Sequence, residues 1–121
     1  MKRVLVVDDS ATVRQQVGLA LKEAGFEVLE AVDGVDGGQK IRADAAIAMV
    51  ICDVNMPRMN GLEMLEDLKR TAVRPTLPIV MLTTEGQDEL LKRAKAAGAK
   101  GWIVKPFKAD LLIGAVRKLT A

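Results

Sequence analysis

Short apolar runs alternate with longer segments of helical periodicity along the whole chain. The apolar runs are about four residues long and rich in Val and Ile, so we predict a β-strand from each of them, at 4–7, 28–31, 49–52, 79–82 and 102–104. Their hydrophobicity is continuous rather than alternating, which is typical of strands buried on both faces of a parallel sheet.

The segments between these runs carry apolar residues at the spacing of one helical face. The clearest stripe starts at Val13 and continues through Leu21 to Ala24, and Gly25 follows where a helix commonly ends. Similar stripes predict helices that include residues 62–68, 90–97 and 111–119. We also predict a helix over about 35–43, although Gly37 and Gly38 oppose it at a cost on the order of 1 kcal/mol each relative to alanine.

The alternation of strands and helices predicts the fold class. Five βα units in succession indicate an α/β protein with a doubly wound (βα)5 fold, because parallel strands need crossover connections and helices then cover both faces of the sheet. A chain of 121 residues suits one domain, and neither a linker nor a repeat interrupts it. We therefore expect one domain over residues 1–121, with nothing appended.

Composition and charge exclude several classes of function. The net charge is only +2 and aromatic residues make up 2% of the chain, which argues against nucleic-acid binding. The chain has no histidine, so it cannot be a phosphohistidine carrier or use a Ser-His-Asp triad. A single cysteine, Cys52, excludes an internal disulfide and a cysteine zinc site, and its apolar neighbours indicate a core residue.

No apolar stretch approaches the roughly 18 residues that a membrane span requires. The first apolar run stops at Asp8 and Asp9, too early for a signal peptide. We expect a cytoplasmic protein without membrane partners.

Polar side chains follow four of the five predicted strands, at the point where each strand ends. Asp8 and Asp9 follow the first strand, Asp53 the third, Thr83 the fourth and Lys105 the fifth. In open α/β sheets ligands bind beyond the carboxyl ends of the strands, so we expect these side chains to lie together.

This set of side chains suits phosphoryl transfer. Crowded carboxylates repel one another, and a hard cation such as Mg²⁺, which prefers oxygen ligands, relieves that repulsion. A lysine and a hydroxyl stabilise a transferring phosphoryl group, and a carboxylate can accept one as an acyl phosphate. Asp53 is the best candidate for the acceptor because it ends the central strand beside the acidic pair.

Four motifs in order resemble the receiver domain of two-component response regulators. They are Val-Leu-Val-Val-Asp-Asp-Ser at 4–10, Asp-Val-Asn-Met-Pro at 53–57 with Gly61 beyond, Met-Leu-Thr at 81–83 and Lys-Pro-Phe at 105–107. The resemblance runs the full chain. It implies the strand order 2-1-3-4-5 of flavodoxin-like and CheY-like folds.

The resemblance also implies a role for each matching position. Asp53 would be the phospho-acceptor and Lys105 the partner of the phosphoryl oxygens, while Thr83 would be the switch hydroxyl. For Mg²⁺, the implied ligands are Asp9 directly, Asp8 mainly through water, Asp53 itself and the backbone carbonyl of Asn55. The bond between Lys105 and Pro106 is commonly cis in such domains.

The resemblance is nearest to CheY-like single-domain chemotaxis regulators, through residues 8–14 and the pair Asn55 and Glu85. It implies a CheA-like histidine kinase as phosphodonor, an output partner such as a flagellar switch protein, and a phosphatase. Output would use the face of the fourth helix, fifth strand and fifth helix, and we expect a monomer. Trp102 occupies the switch-aromatic position, where Tyr or Phe is usual, and Thr84 stands where a smaller residue is common.

Other interpretations remain open from the sequence. A pseudo-receiver would keep the fold and bind partners without phosphate, and Trp102 favours it. The chain could instead be the receiver domain of a larger regulator. A carboxylate-based phosphohydrolase would need a substrate cap, and a P-loop motif is absent. Asp8 and Asp9 taken alone suit a helix N-cap.

Overall fold

A computed structural model describes residues 1–54, 56, 58–84 and 88–121. Within them, strands and helices alternate as predicted: β1 Arg3–Val7, α1 Ala11–Glu23, β2 Glu27–Ala31, α2 Gly34–Ala43, β3 Ile47–Cys52, α3 Gly61–Arg70, β4 Ile79–Thr83, α4 Asp88–Ala96, β5 Gly101–Val104 and α5 Ala109–Thr120. The strands begin up to two residues earlier than predicted, and Thr83 is the last residue of β4 rather than the first residue after it.

The five strands form one parallel sheet in the order β2-β1-β3-β4-β5. The doubly wound (βα)5 fold and the strand order 2-1-3-4-5 are therefore confirmed. Val7 of β1 pairs with Cys52 of β3, and Thr83 of β4 pairs with Val104 of β5, so the carboxyl ends of the strands share one edge.

The sheet separates two hydrophobic layers, since successive side chains of a strand point to opposite faces. Leu5, Val50 and Met81 lie in one layer, and Val4 and Ile51 lie in the other. The expected burial on both faces holds for β1, β3 and β4, apart from the half-buried Arg3 and Ala48 near the starts of β1 and β3. The edge strands β2 and β5 are only partly covered, because each has a neighbour on one side alone.

One of the two glycines that opposed α2, Gly37, has a packing function. A Cβ at Gly37 would lie 2.9 Å from Met64 Sδ and 3.0 Å from Val7 Cγ2, so only glycine lets α2 lie this close to β1 and α3. The close contact with the core offsets the low helix propensity. Gly25 ends α1 with a φ of 92°, the left-handed conformation predicted for it.

None of the helices in the described part of the chain has the length and apolar character needed to cross a membrane.

Candidate functional site

The strands bring the predicted site residues to one edge of the sheet. Backbone hydrogen bonds extend the ladder just beyond the strands: Asp53 N donates to Val7 O at 2.9 Å, and Lys105 N donates to Thr83 O at 2.9 Å. Asp8, Asp53 and Lys105 are thereby fixed beside one another, although they are far apart in sequence.

Three carboxylates form a compact acidic cluster at this edge. Asp8, Asp9 and Asp53 each offer an oxygen, and these oxygens all lie within 4.8 Å of one another. Asp8 and Asp53 are buried, whereas Asp9 is exposed, so the cluster is open to solvent on one side. Anionic oxygens with an open side fit Mg²⁺, which keeps several of its waters.

Asp8 is held at each of its polar groups. Its backbone N–H donates to Ala31 O at 3.0 Å, and its carbonyl accepts from the Arg14 guanidinium at 2.7 Å. One carboxylate oxygen accepts from Ser10 N at 2.9 Å and the other from Lys105 Nζ at 2.9 Å. The N-cap of α1 is Ser10, whose hydroxyl accepts from Val13 N, so Asp8 and Asp9 are not the helix cap.

Asp53 lies in a polar but poorly solvated environment. Burial, and after it the charge of Asp8, raises the pKa of Asp53 above its ordinary value. The nearby charge of Lys105 opposes this rise, as do hydrogen bonds that the carboxylate accepts from Val54 N at 2.8 Å and from Thr83. Thr83 is fully buried, so its hydroxyl points at the carboxylate and not at solvent.

Lys105 bridges two of the carboxylates. Its Nζ lies 2.9 Å from Asp8 Oδ2 and 3.5 Å from Asp53 Oδ2. Burial works against its charge, but the hydrogen bond to Asp8 and the charges of both carboxylates raise the pKa of Lys105. The Lys105–Pro106 peptide bond is cis, as the resemblance to receiver domains implied.

The segment after Asp53 is tied to the start of α2. Asp33 is buried, caps α2 through Asp36 N, and accepts from Arg58 Nε at 2.6 Å. The Arg58 hydrogen bond is the main reason that the pKa of Asp33 is lowered. Gly34 N donates to Met59 O at 2.8 Å, close enough that a Cβ at Gly34 would overlap that oxygen.

Gly61 is required by the site itself. A Cβ at this position would overlap the backbone carbonyl of Asp53 and lie 2.9 Å from Met81 Cε. Its N–H donates to Val54 O at 2.9 Å, which holds the start of α3 against the end of β3. The sequence marked Gly61 only as part of a motif, and the structure supplies the steric reason.

Two predicted positions, Asn55 and Glu85, lie outside the described residues. Trp102 is half-buried in β5, and its indole nitrogen is buried without a hydrogen-bond partner among the described residues. Thr84 is exposed at the end of β4. Sequence reasoning missed Arg14, Asp33 and Arg58; only Asp33, which follows the end of β2 closely, carried a signal that could have been used.

A groove of about 640 Å³ begins beside Lys105 and runs along α1. Leu19, which is 61% exposed, lines it together with Phe107, and Thr84 lies at the same wall. Lys105, which lines this groove, also pairs with Asp8 and Asp53 of the acidic cluster.

Comparisons with known proteins agree with this geometry. Residues 4–117 match the response regulator receiver domain family. The chain is 40% identical over 111 residues to the chemotaxis protein CheY1 of Helicobacter pylori, covering 91% of this chain and 90% of that protein. The structure of chemotaxis protein CheY4 of Vibrio cholerae superposes with a TM-score of 0.90, at 39% identity and 98% coverage of both chains.

A third relative was crystallised with ligands. The response regulator TrrA of Thermotoga maritima, in complex with Mg²⁺ and BeF, has a TM-score of 0.87 and 31% identity, with 98% of this chain and 99% of that chain covered. The present chain belongs to the response regulator receiver domain family. CheY-like members of that family are signalling switches rather than classical enzymes.

Proposed function

We propose that this chain is a CheY-like regulator that accepts a phosphoryl group on Asp53 from a CheA-like histidine kinase. The observation that carries the proposal is the position of the buried Asp53 carboxylate, which lies 3.5 Å from Lys105 Nζ and within a cluster of three carboxylates. A raised pKa also suits a nucleophile, because a more basic carboxylate oxygen donates its electrons more readily.

The transfer exchanges one bond to phosphorus for another. A carboxylate oxygen of Asp53 attacks the phosphorus of the phosphohistidine, an O–P bond forms, the N–P bond breaks, and the imidazole leaves with the bond electrons. Mg²⁺ held by Asp8, Asp9 and Asp53, with the carbonyl of Asn55, would neutralise charge on the phosphoryl oxygens. That the related TrrA was crystallised with Mg²⁺ and BeF supports a Mg²⁺ site in this chain.

Lys105 and Thr83 provide the remaining donors. Lys105 exchanges its contact with the Asp53 carboxylate for one with a phosphoryl oxygen, since its Nζ already lies 3.5 Å from Asp53 Oδ2. Thr83, which hydrogen-bonds Asp53 before phosphorylation, follows the new oxygens and moves the end of β4 with it. Thr83 is therefore the switch hydroxyl, and Trp102 on the adjacent strand is the residue that responds.

The kinase docks along the groove beside Lys105. The exposed Leu19 and the ring of Phe107 offer apolar contact there, and Lys105, which pairs with Asp53, lines the same groove. A helix of the kinase that buried Leu19 would bring its phosphohistidine to the open side of the cluster.

The output surface is the face formed by α4, β5 and α5. Val104 is 54% exposed and Leu111 is 64% exposed, so this face presents apolar side chains that a partner can cover. Lys92, Lys95 and Lys108 are exposed on the same three-element face or at its border, which favours an acidic partner such as a segment of a flagellar switch protein. A phosphatase would restore the resting state of a cytoplasmic, monomeric regulator.

One observation favours a pseudo-receiver as the second candidate. Trp102 replaces the usual Tyr or Phe, and a ring that stays in one rotamer would uncouple the output face from Asp53. If the chain is the receiver domain of a longer regulator, it would use the same site. The length of the coding sequence distinguishes this possibility from a single-domain protein over residues 1–121.

The test is phosphorylation by a small-molecule donor. The protein is incubated with acetyl phosphate in Mg²⁺ and, as a matched control, in excess EDTA, and its intact mass is measured. We expect the mass of one phosphoryl group to be added in Mg²⁺ only. A wild-type chain that stays unmodified in Mg²⁺ would favour the pseudo-receiver.

A further inference from the structure

We propose that Arg14 is a positioning residue for the metal site, because it orients the peptide bond that carries Asp9. This inference rests on the proposed Mg²⁺ function and adds to it a residue outside the set of ligands and phosphoryl-binding groups. The observation behind it is a hydrogen bond of 2.7 Å that the Arg14 guanidinium donates to the backbone carbonyl of Asp8.

The Asp9 carboxylate needs external positioning. It is one of the three oxygen donors that converge within 4.8 Å, yet it is exposed. In the described part of the chain no side chain or backbone N–H hydrogen-bonds it, and no cation pairs with it. Its direction therefore depends on the backbone from which it projects.

Arg14 fixes that backbone. The carbonyl it binds belongs to the peptide that joins Asp8 to Asp9, and a peptide unit is planar, so holding the oxygen also fixes the orientation of the Asp9 nitrogen. The rest of Asp8 is already held, through its N–H to Ala31 and through both carboxylate oxygens. Without Arg14, rotation of this one peptide would turn Asp9 away from the cluster.

The setting of Arg14 favours this role over a surface ion pair. Its side chain is only 15% exposed, whereas its carboxylate partner Glu30 is 48% exposed. The Nε of Arg14 donates to Glu30 at 2.9 Å and the NH1 to Asp8 O, so Glu30 holds the guanidinium plane in the orientation that reaches the carbonyl. A planar donor group with two fixed contacts is what arginine offers and lysine does not.

Charge and positioning predict opposite effects on Mg²⁺ binding, which makes the inference testable. Arg14 is a cation near an acidic site, so its charge alone opposes Mg²⁺, and removing that charge would tighten binding. If Arg14 instead positions Asp9, removing it weakens binding. Groups that orient metal ligands typically contribute about 10–100-fold to metal affinity.

The experiment is a Mg²⁺ titration of the full chain, followed by amide chemical shifts at a temperature where every variant is folded. Arg14→Met keeps the apolar stem and removes both donors, and Arg14→Lys keeps the charge and one donor group. Glu30→Gln is the matched control, because its amide oxygen can still accept from Arg14 Nε and so leaves the carbonyl contact in place. We expect Arg14→Met to weaken Mg²⁺ about tenfold. Arg14→Lys should recover part of that loss, and Glu30→Gln should stay within about twofold of wild type.

Equal or tighter Mg²⁺ binding by folded Arg14→Met would overturn the inference, as would an equal loss in Glu30→Gln. Should Arg14→Met not fold, Arg14→Gln replaces it, because the glutamine side chain is too short to make both contacts. Its Mg²⁺ affinity is then compared with wild type by the same criteria. A wild-type chain that binds no Mg²⁺ would overturn the proposed function as well. Wild-type binding that Arg14→Met retains would overturn only the role of Arg14.

Discussion

The Nζ of Lys105 lies 2.9 Å from Oδ2 of Asp8, nearer than to the proposed acceptor. Its distance to Asp53 Oδ2 is 3.5 Å. In the unphosphorylated protein Lys105 therefore separates two buried carboxylates that would otherwise repel each other, and it is already in place to reach an oxygen added to Asp53.

Replacing Lys105 with Met should raise the pKa of Asp53 further, because the charge that opposes burial and Asp8 is lost. Labelling by acetyl phosphate should slow by about a hundredfold, the usual effect of removing one donor from a charged transition state. An NMR titration of the Asp53 carboxyl carbon and a labelling time course measure the two effects. Lys108→Met, at an exposed neighbour, is the control and should leave both unchanged.

Asp53→Asn should stabilise the metal-free protein at neutral pH. The pKa of Asp53 is higher in the folded state than in the unfolded state, so the folded protein favours the protonated carboxyl. The stabilisation from this protonated form is fully present below the unfolded pKa and is lost as pH rises through the folded pKa. The gain from Asn should therefore be present at pH 7 and vanish at about pH 3. Urea unfolding at both pH values checks this prediction. Asp88→Asn, at an exposed residue of α4, is the control and should change the free energy of unfolding by less than about 0.5 kcal/mol. A gain of equal size at both pH values would show that burial of the charge is not the cause.

Two glycines should respond to alanine in opposite directions. Gly61→Ala forces a Cβ into the Asp53 carbonyl and should cost about 3 kcal/mol, together with a loss of labelling. At Gly114, in α5, a Cβ meets nothing within 4 Å, so Gly114→Ala should stabilise by about 0.5–1 kcal/mol through helix propensity. Thermal unfolding of both variants measures the contrast, and a tolerant Gly61→Ala would contradict the described packing of α3 on β3.

Trp102, the only tryptophan, offers a fluorescence probe of the proposed switch. Because its indole nitrogen is buried, we expect its fluorescence to resist acrylamide quenching in the resting protein. Mg²⁺ with beryllofluoride should change the quenching if the ring moves with Thr83. Thr83→Ala, which removes the coupling hydroxyl, is the control and should abolish the change. A resting ring that is quenched as readily as in the unfolded chain would show that it points to solvent.

Asp9→Ala should weaken Mg²⁺ more than Asp8→Ala. Asp9 is exposed and has no hydrogen-bond partner among the described residues, whereas Asp8 is already engaged by Ser10 and Lys105. Parallel Mg²⁺ titrations of the two variants measure the order. The reverse order would exchange the roles assigned to the two aspartates.

Much of this arrangement could be predicted from the sequence, because strand ends in a parallel sheet share an edge. That rule alone placed Asp53 and Lys105 together, and the structure puts them within 3.5 Å. Arg14 could not be found in this way, since its contact is with a backbone carbonyl, which carries no sequence signal. Nor could the pair of Asp33 and Arg58, which depends on the left-handed φ of 63° at Arg58.

Helix α2 shows that local sequence preference can also mislead. Helix propensity argued against it at Gly37 and Gly38, whereas the structure shows a helix in which Gly37 packs closely on Val7 and Met64. Local preference amounts to about 1 kcal/mol per glycine, which the burial of a helix face readily exceeds. Tertiary contacts of this kind are not visible in a window of sequence.

Localisation of the phosphoryl group tests the central claim most directly. The protein is labelled with acetyl phosphate and Mg²⁺ and reduced with borohydride, which converts an aspartyl phosphate to homoserine, and the modified residue is then found by tandem mass spectrometry. We predict homoserine at position 53 alone, and none in Asp53→Asn, while Asp110→Asn on exposed α5 labels as wild type does. Homoserine at another aspartate, or undiminished labelling of Asp53→Asn, would contradict the assignment of Asp53 as the acceptor.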